Sequence, residues 1–326
     1  MTPQDLSRRD FVKLGAAGAS AAFVCRDQPL SPLPPMPERD LGLTGHRVRL
    51  FSLGGQATIE QDGTRDESLA IINRAIDLGV NYIDTAAAYG RGISQKYIGD
   101  VMATRRSEVF LATKTHNRTR DGSLKLLEES LESLQTDHLD LWQLHNITRT
   151  EQLDQIFGPD GAIEALEQAR SEGTVRFLGI TGHYDPAVLL DGITRYDFDT
   201  ILMALNPADP HHLPFTTQLL ASANEKRMGI IGMKIPGRGR VFREGGITSM
   251  ADTMCWVLTH PVSTVIVGCD DVAQLEENVQ IARDFEPMDK QELARVSGLV
   301  EPYALEAAFF KRDAAGFGAD NDHDWD

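Results

Sequence analysis

The chain has 326 residues, 41% of them apolar and 25% charged, an ordinary globular composition with ample material for a large core. Its 48 acidic residues against 32 basic ones leave a formal net charge of −16, which would repel phosphate-rich surfaces, so neither nucleic acid nor an anionic membrane is expected as a partner. The three cysteines, Cys25, Cys255 and Cys269, have no paired or metal-ligand spacing, and neither a disulfide framework nor a metal site is expected.

In chain order, Ser7, Arg8 and Arg9 precede Phe11 and Lys13, and an alanine- and glycine-rich run from Leu14 to Val24 follows. That run is too short and too weakly apolar to span a bilayer. Residues 1–25 resemble a twin-arginine (Tat) export signal. The resemblance implies export of a folded protein by the Tat machinery, membrane contact only during export, and a periplasmic or cell-envelope location. Val24 is a poor residue to precede a lipidated cysteine, so no anchor is expected at Cys25. Residues 26–40 contain Pro29, Pro32, Pro34, Pro35 and Pro37 and are expected to be a disordered or extended linker.

From Leu41 the pattern changes. A short hairpin turning at Thr44 and Gly45 is followed by a first strand at Val48 to Leu53, and from there helices and strands alternate. Further strands are predicted at Val80 to Asp84, Val109 to Lys114, Leu139 to His145, Val175 to Thr181, Thr200 to Asn206, Ile230 to Lys234 and Val262 to Gly268. The stretch from Asn146 to Gly158 reads as loop, with the next helix at Gly161 to Glu172. Eight strands alternating with helices predict a (β/α)8 barrel over residues 41–312, with an extra helix at Asp289 to Leu299. A doubly wound sheet is the competitor, but the turn after the first strand, LGGQAT, lacks a GxGxxG spacing. The acidic, small-residue tail, 313–326, is expected to be disordered.

Three successive predicted strands close on ionisable side chains: Asp84, with Tyr89 in the loop beyond it, then Lys114, then His145. A parallel barrel gathers such strand ends at one face, where chemistry is done. A tyrosine beside an ammonium can act as a proton donor, the ammonium lowering the phenol pKa, and a carboxylate would keep the buried lysine charged. A histidine at the next strand end can donate a hydrogen bond to a substrate oxygen.

The strings FSLGG, YIDTAAAYG, FLATK and LDLWQLH, in that order, resemble the aldo-keto reductase superfamily from Leu41 to about Phe285. The resemblance implies a catalytic tetrad of Asp84, Tyr89, Lys114 and His145. It also implies a nicotinamide dinucleotide, NADP(H) or NAD(H), and a small-molecule carbonyl or alcohol substrate. Cofactor contacts are implied at Gly54, at Thr181, Gly182 and His183 after the fifth strand, at Met233 and Lys234 after the seventh, and at Gly268, Asp270, Gln274, Glu277 and Asn278 around the eighth. Several positions depart from the family. Thr181 to His183 replace a Ser-Asn pair, Leu202 and Met203 stand where a glutamine is usual, and Met233 stands for a stacking aromatic. Basic residues that would meet a 2′-phosphate are missing, while Asp270 and Asp271 would repel one and could accept ribose hydroxyls, so NAD(H) is expected to be tolerated. Arg238, Arg240 and Arg243 are either phosphate ligands or a solvated basic loop. These departures keep open a second reading, a nucleotide-binding sensor or partner-docking barrel with little turnover, and a third, a non-redox barrel enzyme.

Overall fold

The computed structural model describes residues 35–311. The twin-arginine segment, most of the proline-rich linker and the acidic tail lie outside the described residues. Eight parallel strands close into a barrel. They are β3 (Phe51–Gly54), β4 (Tyr82–Asp84), β5 (Phe110–Thr115), β6 (Leu139–Leu144), β7 (Val175–Gly182), β8 (Thr200–Ala204), β9 (Gly229–Met233) and β10 (Thr264–Val267). Each pairs with its neighbour in chain order, and β10 returns to β3. These strands are short and apolar because both faces are covered, by the barrel interior on one side and by helices on the other.

The outer ring comprises α1 (Arg65–Asp77), α2 (Ile93–Arg105), α3 (Arg120–Ser133), α4 (Thr150–Phe157), α5 (Ala162–Ser171), α6 (Pro186–Arg195), α7 (Gln218–Glu225), α8 (Met250–Thr259) and α9 (Val272–Arg283). Beyond it lie α10 (Lys290–Val300) and the single turn α11 (Ala304–Ala307). Side-chain caps start several of them: Asp185 accepts from the Ala187 amide, Ser249 from Ala251 and Asp271 from Gln274.

Two expectations are corrected. The hairpin is formed by β1 (Glu38–Asp40) and β2 (Arg47–Arg49), so the last residues of the supposed linker are a strand and Val48 belongs to the hairpin, not the barrel. Its stability comes from what it covers. Met36, Leu41 and Val48 are buried, the His46 ring stacks on Phe110 at 4.6 Å, and Arg39 donates to the carbonyls of Val262 (2.6 Å) and Leu258 (2.8 Å). The hairpin thus floors the N-terminal end of the barrel. Second, the stretch after β6 contains α4, which buries Leu153 and Ile156.

Candidate active site

The opposite, C-terminal end of the barrel gathers the ionisable groups. Asp84 ends β4, Lys114 lies next to the end of β5, and His145 directly follows β6; all three are almost wholly buried. Tyr89 stands in the loop after β4, its main chain fixed by the next residue. Gly90 has φ +57, and a methyl group there would come within 2.0 Å of the Glu60 carbonyl oxygen, so only glycine lets this loop sit against the 3-10 turn Ala57–Glu60. Ser94 ties the same loop down by donating to the Gly55 carbonyl at 2.7 Å and meeting the Thr85 hydroxyl at 2.8 Å.

Lys114 Nζ is the hub. It ion-pairs with Asp84 Oδ1, donates to the Thr85 carbonyl at 2.8 Å, and reaches the Tyr89 hydroxyl at 3.3 Å. Burial alone would strip its proton, but Asp84 and Tyr89 outweigh burial and hold the ammonium above the ordinary lysine value. The second Asp84 oxygen accepts from Gln143 Nε2 at 3.0 Å and from the Tyr82 hydroxyl at 3.4 Å. The ring of His145 meets that of Tyr89 edge-on, with centroids 5.8 Å apart. Burial, then the charges of Lys114 and Arg118, push His145 well below its usual value, so it is a neutral imidazole at physiological pH.

One expectation about Tyr89 is overturned. Lys114 does pull the phenol down, but burial weighs more and Asp84 also opposes ionisation, so the net direction is upward. The phenol is therefore a protonated donor at neutral pH, and the ammonium moderates an acid that burial has weakened.

The other implied residues are distributed around the rim. Gly54 at the end of β3 and Gly268 after β10 lie back to back, a methyl at Gly54 coming within 3.0 Å of the Gly268 amide. The Thr181 hydroxyl is spent on the Asn146 amide at 2.8 Å, and Gly182 lets the chain pass the Ile147 carbonyl. His183 Nδ1 lies 2.8 Å from Asn146 Oδ1. Burial also keeps His183 neutral, so with Nδ1 carrying the proton its Nε2 is left as an acceptor. Met233 ends β9 as a buried thioether. Lys234 follows with φ +61, half-buried, its Nζ 3.2 Å from Gln56 Oε1.

Around β10, Asp271 is committed to capping α9, while Asp270 is exposed and Gln274 Oε1 accepts from its amide at 2.8 Å. Glu277 is exposed on α9, and Asn278 is buried, donating to Cys269 Sγ at 3.6 Å. Cys255 and Cys269 are free thiols. Of the three loop arginines, Arg240 lies over the Phe309 ring and Arg243 over Tyr303, each at 4.3 Å, and Arg243 also pairs with Glu306. Arg238 is exposed and lies further from the same Phe309 ring, at 6.0 Å, so all three face rings of the C-terminal segment. Tyr82, Gln143 and Gln56 are site residues that sequence reasoning passed over.

Residues 51–244 match the model of the aldo/keto reductase family. The chain belongs to that family. It is 31% identical over 287 residues to a 6-dehydroglucose reductase of Novosphingobium aromaticivorans, with 76% of this chain and 91% of the relative covered. It is 28% identical over 309 residues to an L-galactose dehydrogenase of Arabidopsis thaliana, covering 81% and 94%. An aldo-keto reductase of Klebsiella pneumoniae solved in complex with NADPH superposes with a TM-score of 0.63 at 22% identity, covering 78% of this chain and 92% of that one.

As a member of the aldo/keto reductase family the protein is an oxidoreductase, moving a hydride between a nicotinamide cofactor and a carbonyl or alcohol. The rim fits such a cofactor. Lys234 makes no ion pair among the described residues, although the chain is rich in carboxylates, so a partly buried cation at the mouth is left for an anionic ligand. Arg238 lies near enough to depress Lys234 further and adds to the positive field that a diphosphate would complement.

Proposed function

We propose that the tetrad performs carbonyl reduction and its reverse, with Tyr89 as the group that gives and takes the proton. The reading is carried by one observation: a single ammonium, Lys114 near the end of β5, touches both the Asp84 carboxylate at the end of the neighbouring β4 and the Tyr89 hydroxyl in the loop that follows it. The bound nicotinamide supplies the hydride. As negative charge grows on the substrate oxygen, Tyr89 delivers its proton there and Lys114 stabilises the phenolate left behind. Asp84 keeps Lys114 charged. Neutral His145 donates to the same substrate oxygen and orients it between the two rings.

His183 Nε2 would accept from the carboxamide of the cofactor, while Lys234 and Arg238 would meet its phosphates and Met233 would lie against the ring. With Asp271 occupied as a cap, the exposed carboxylate of Asp270 is the group that would accept ribose hydroxyls and repel a 2′-phosphate, which supports NAD(H) being tolerated. The substrate would be a small, polar, sugar-like carbonyl or alcohol. Two relatives carry sugar-derived names, and His116, Arg118, Asn146 and His183 make this side of the mouth polar.

Burial, the charge of Arg238 and that of Lys114 bring Lys234 down to about 7, against a partial upward pull from Glu60. It is therefore mostly charged at pH 6.5 and mostly neutral at pH 8.5. Binding a diphosphate favours the charged form, so binding takes up a proton and affinity rises as pH falls. Fluorescence titration with NADH is expected to show binding about tenfold tighter at pH 6.5 than at pH 8.5, and Lys234→Met to flatten the dependence.

The twin-arginine motif supports export of the folded protein, with residues 1–25 as the signal and the barrel working in the periplasm or envelope. Cell fractionation checks this: Arg8→Lys with Arg9→Lys should retain the protein in the cytoplasm, and unchanged export would count against it.

A further inference from the structure

Asp84 is held from below as well as from the side. Lys114, Gln143, Gly179 and Thr200 are consecutive register partners on β5, β6, β7 and β8, so they lie at one level of the barrel. Gln143 is wholly buried there, and its Nε2 donates to Asp84 Oδ2 at 3.0 Å. The amide must face this way, because a carboxylate only accepts. Space for Gln143 exists because residue 179 is glycine: a methyl on Gly179 would come within 2.9 Å of Gln143 Cγ and 2.5 Å of Thr200 Oγ1.

Tyr82, two residues before Asp84 on β4, shares its inward face and reaches the same Oδ2 at 3.4 Å. Its ring is fixed by stacking on Phe110 at 5.5 Å, and Phe110 stacks in turn on His46 of the floor hairpin. Burial and the charge of Asp84 keep the Tyr82 hydroxyl protonated, so it remains a donor.

A carboxylate inside a barrel with one partner can turn about its Cβ–Cγ bond. With Oδ2 held by two donors its plane is set, and Oδ1 is presented to Lys114. We infer that Gln143, backed by Tyr82 and given room by Gly179, is a positioning residue for the reaction, acting through the orientation of Asp84 and hence of Lys114. This rests on the tetrad reading above.

The test is a double-mutant cycle on nicotinamide-dependent turnover. Gln143→Met keeps the length of the side chain and removes only the amide. It is expected to lower kcat about 30-fold while leaving KM and the dissociation constant for NADH within about twofold, because it touches neither ligand. In an Asp84→Asn background the same change should cost almost nothing more, whereas a general packing defect would add its full factor. Gly179→Ala, which displaces Gln143 without changing it, should reproduce the kcat loss, and Tyr82→Phe should give a smaller one. These two variants decide the matter if Gln143→Met does not fold. Full activity in Gln143→Met beside an inactive Asp84→Asn would overturn this inference alone. Full activity in Asp84→Asn itself would overturn the tetrad reading and this inference with it.

Discussion

Tyr89→Phe should lower kcat about 10³-fold while leaving the dissociation constant for nicotinamide dinucleotide within about twofold. The ring stays, so its edge contact with His145 and its place over the Lys114 ammonium, 4.7 Å from the ring centroid, are preserved. Only the proton donor is lost. Tyr89 is buried, so water cannot readily take over its role in so enclosed a site. Single-turnover oxidation of bound NADH or NADPH, followed by absorbance, checks the prediction. A variant that turns over within tenfold of the parent would remove Tyr89 from the chemistry, and equal loss of cofactor binding would make it a structural residue.

Asp84→Asn carries the second large effect, and it falls on stability as well as rate. The Lys114–Asp84 pair is almost wholly buried on both sides, and removing one partner of such a pair leaves an uncompensated charge at a cost of about 3 kcal/mol. Lys114 would respond by giving up its proton, and Tyr89 would then lose the ammonium that stabilises its phenolate, for a fall of about 10²-fold in kcat. The sign of the pH dependence follows from the raised value at Lys114. Its stabilisation is present below the ordinary lysine value of about 10.4 and is lost only as pH rises through the raised one. From about pH 6 to pH 9 the parent's contribution is thus constant. The variant's native state has lost the Lys114 proton that the unfolded chain keeps, so the variant gains stability as pH rises and the stability gap should narrow with increasing pH. Thermal melts should place the variant about 4–5 °C lower. A melting temperature equal to that of the parent would mean the pair contributes nothing to the fold.

The barrel was legible because buried parallel strands read as short apolar runs, and because a carboxylate, a lysine and a histidine at the ends of three such runs have no packing use. Other features were hidden for identifiable reasons. The hairpin strand Glu38–Asp40 follows a proline cluster and is polar, so it looked like linker; it exists because Met36 and Arg39 dock on the barrel floor, a long-range contact no local pattern reveals. The helix Thr150–Phe157 did leave a signal, with Leu153, Ile156 and Phe157 on one face, but only two turns long it was read as part of the loop between strand and helix.

Gln143 and Tyr82 were read as members of their strands. Their even spacing from His145 and Asp84 places them on the same inward faces, and that spacing was the available clue. The direction of the Tyr89 shift could not be read at all, since it depends on how deeply the ring is buried. Asp271, taken with Asp270 as a possible ribose contact, turned out to be committed to a helix cap, which only the geometry of α9 could show.

The central claim is that this mouth binds a nicotinamide dinucleotide over the tetrad. Fluorescence titration of the purified protein with NADH and NADPH side by side, at pH 6.5 where Lys234 is charged, tests it most directly. Saturable micromolar binding of at least one is predicted, with NADH accepted alongside NADPH on the proposal that Asp270 meets the ribose. No binding of either at millimolar concentration would contradict the account.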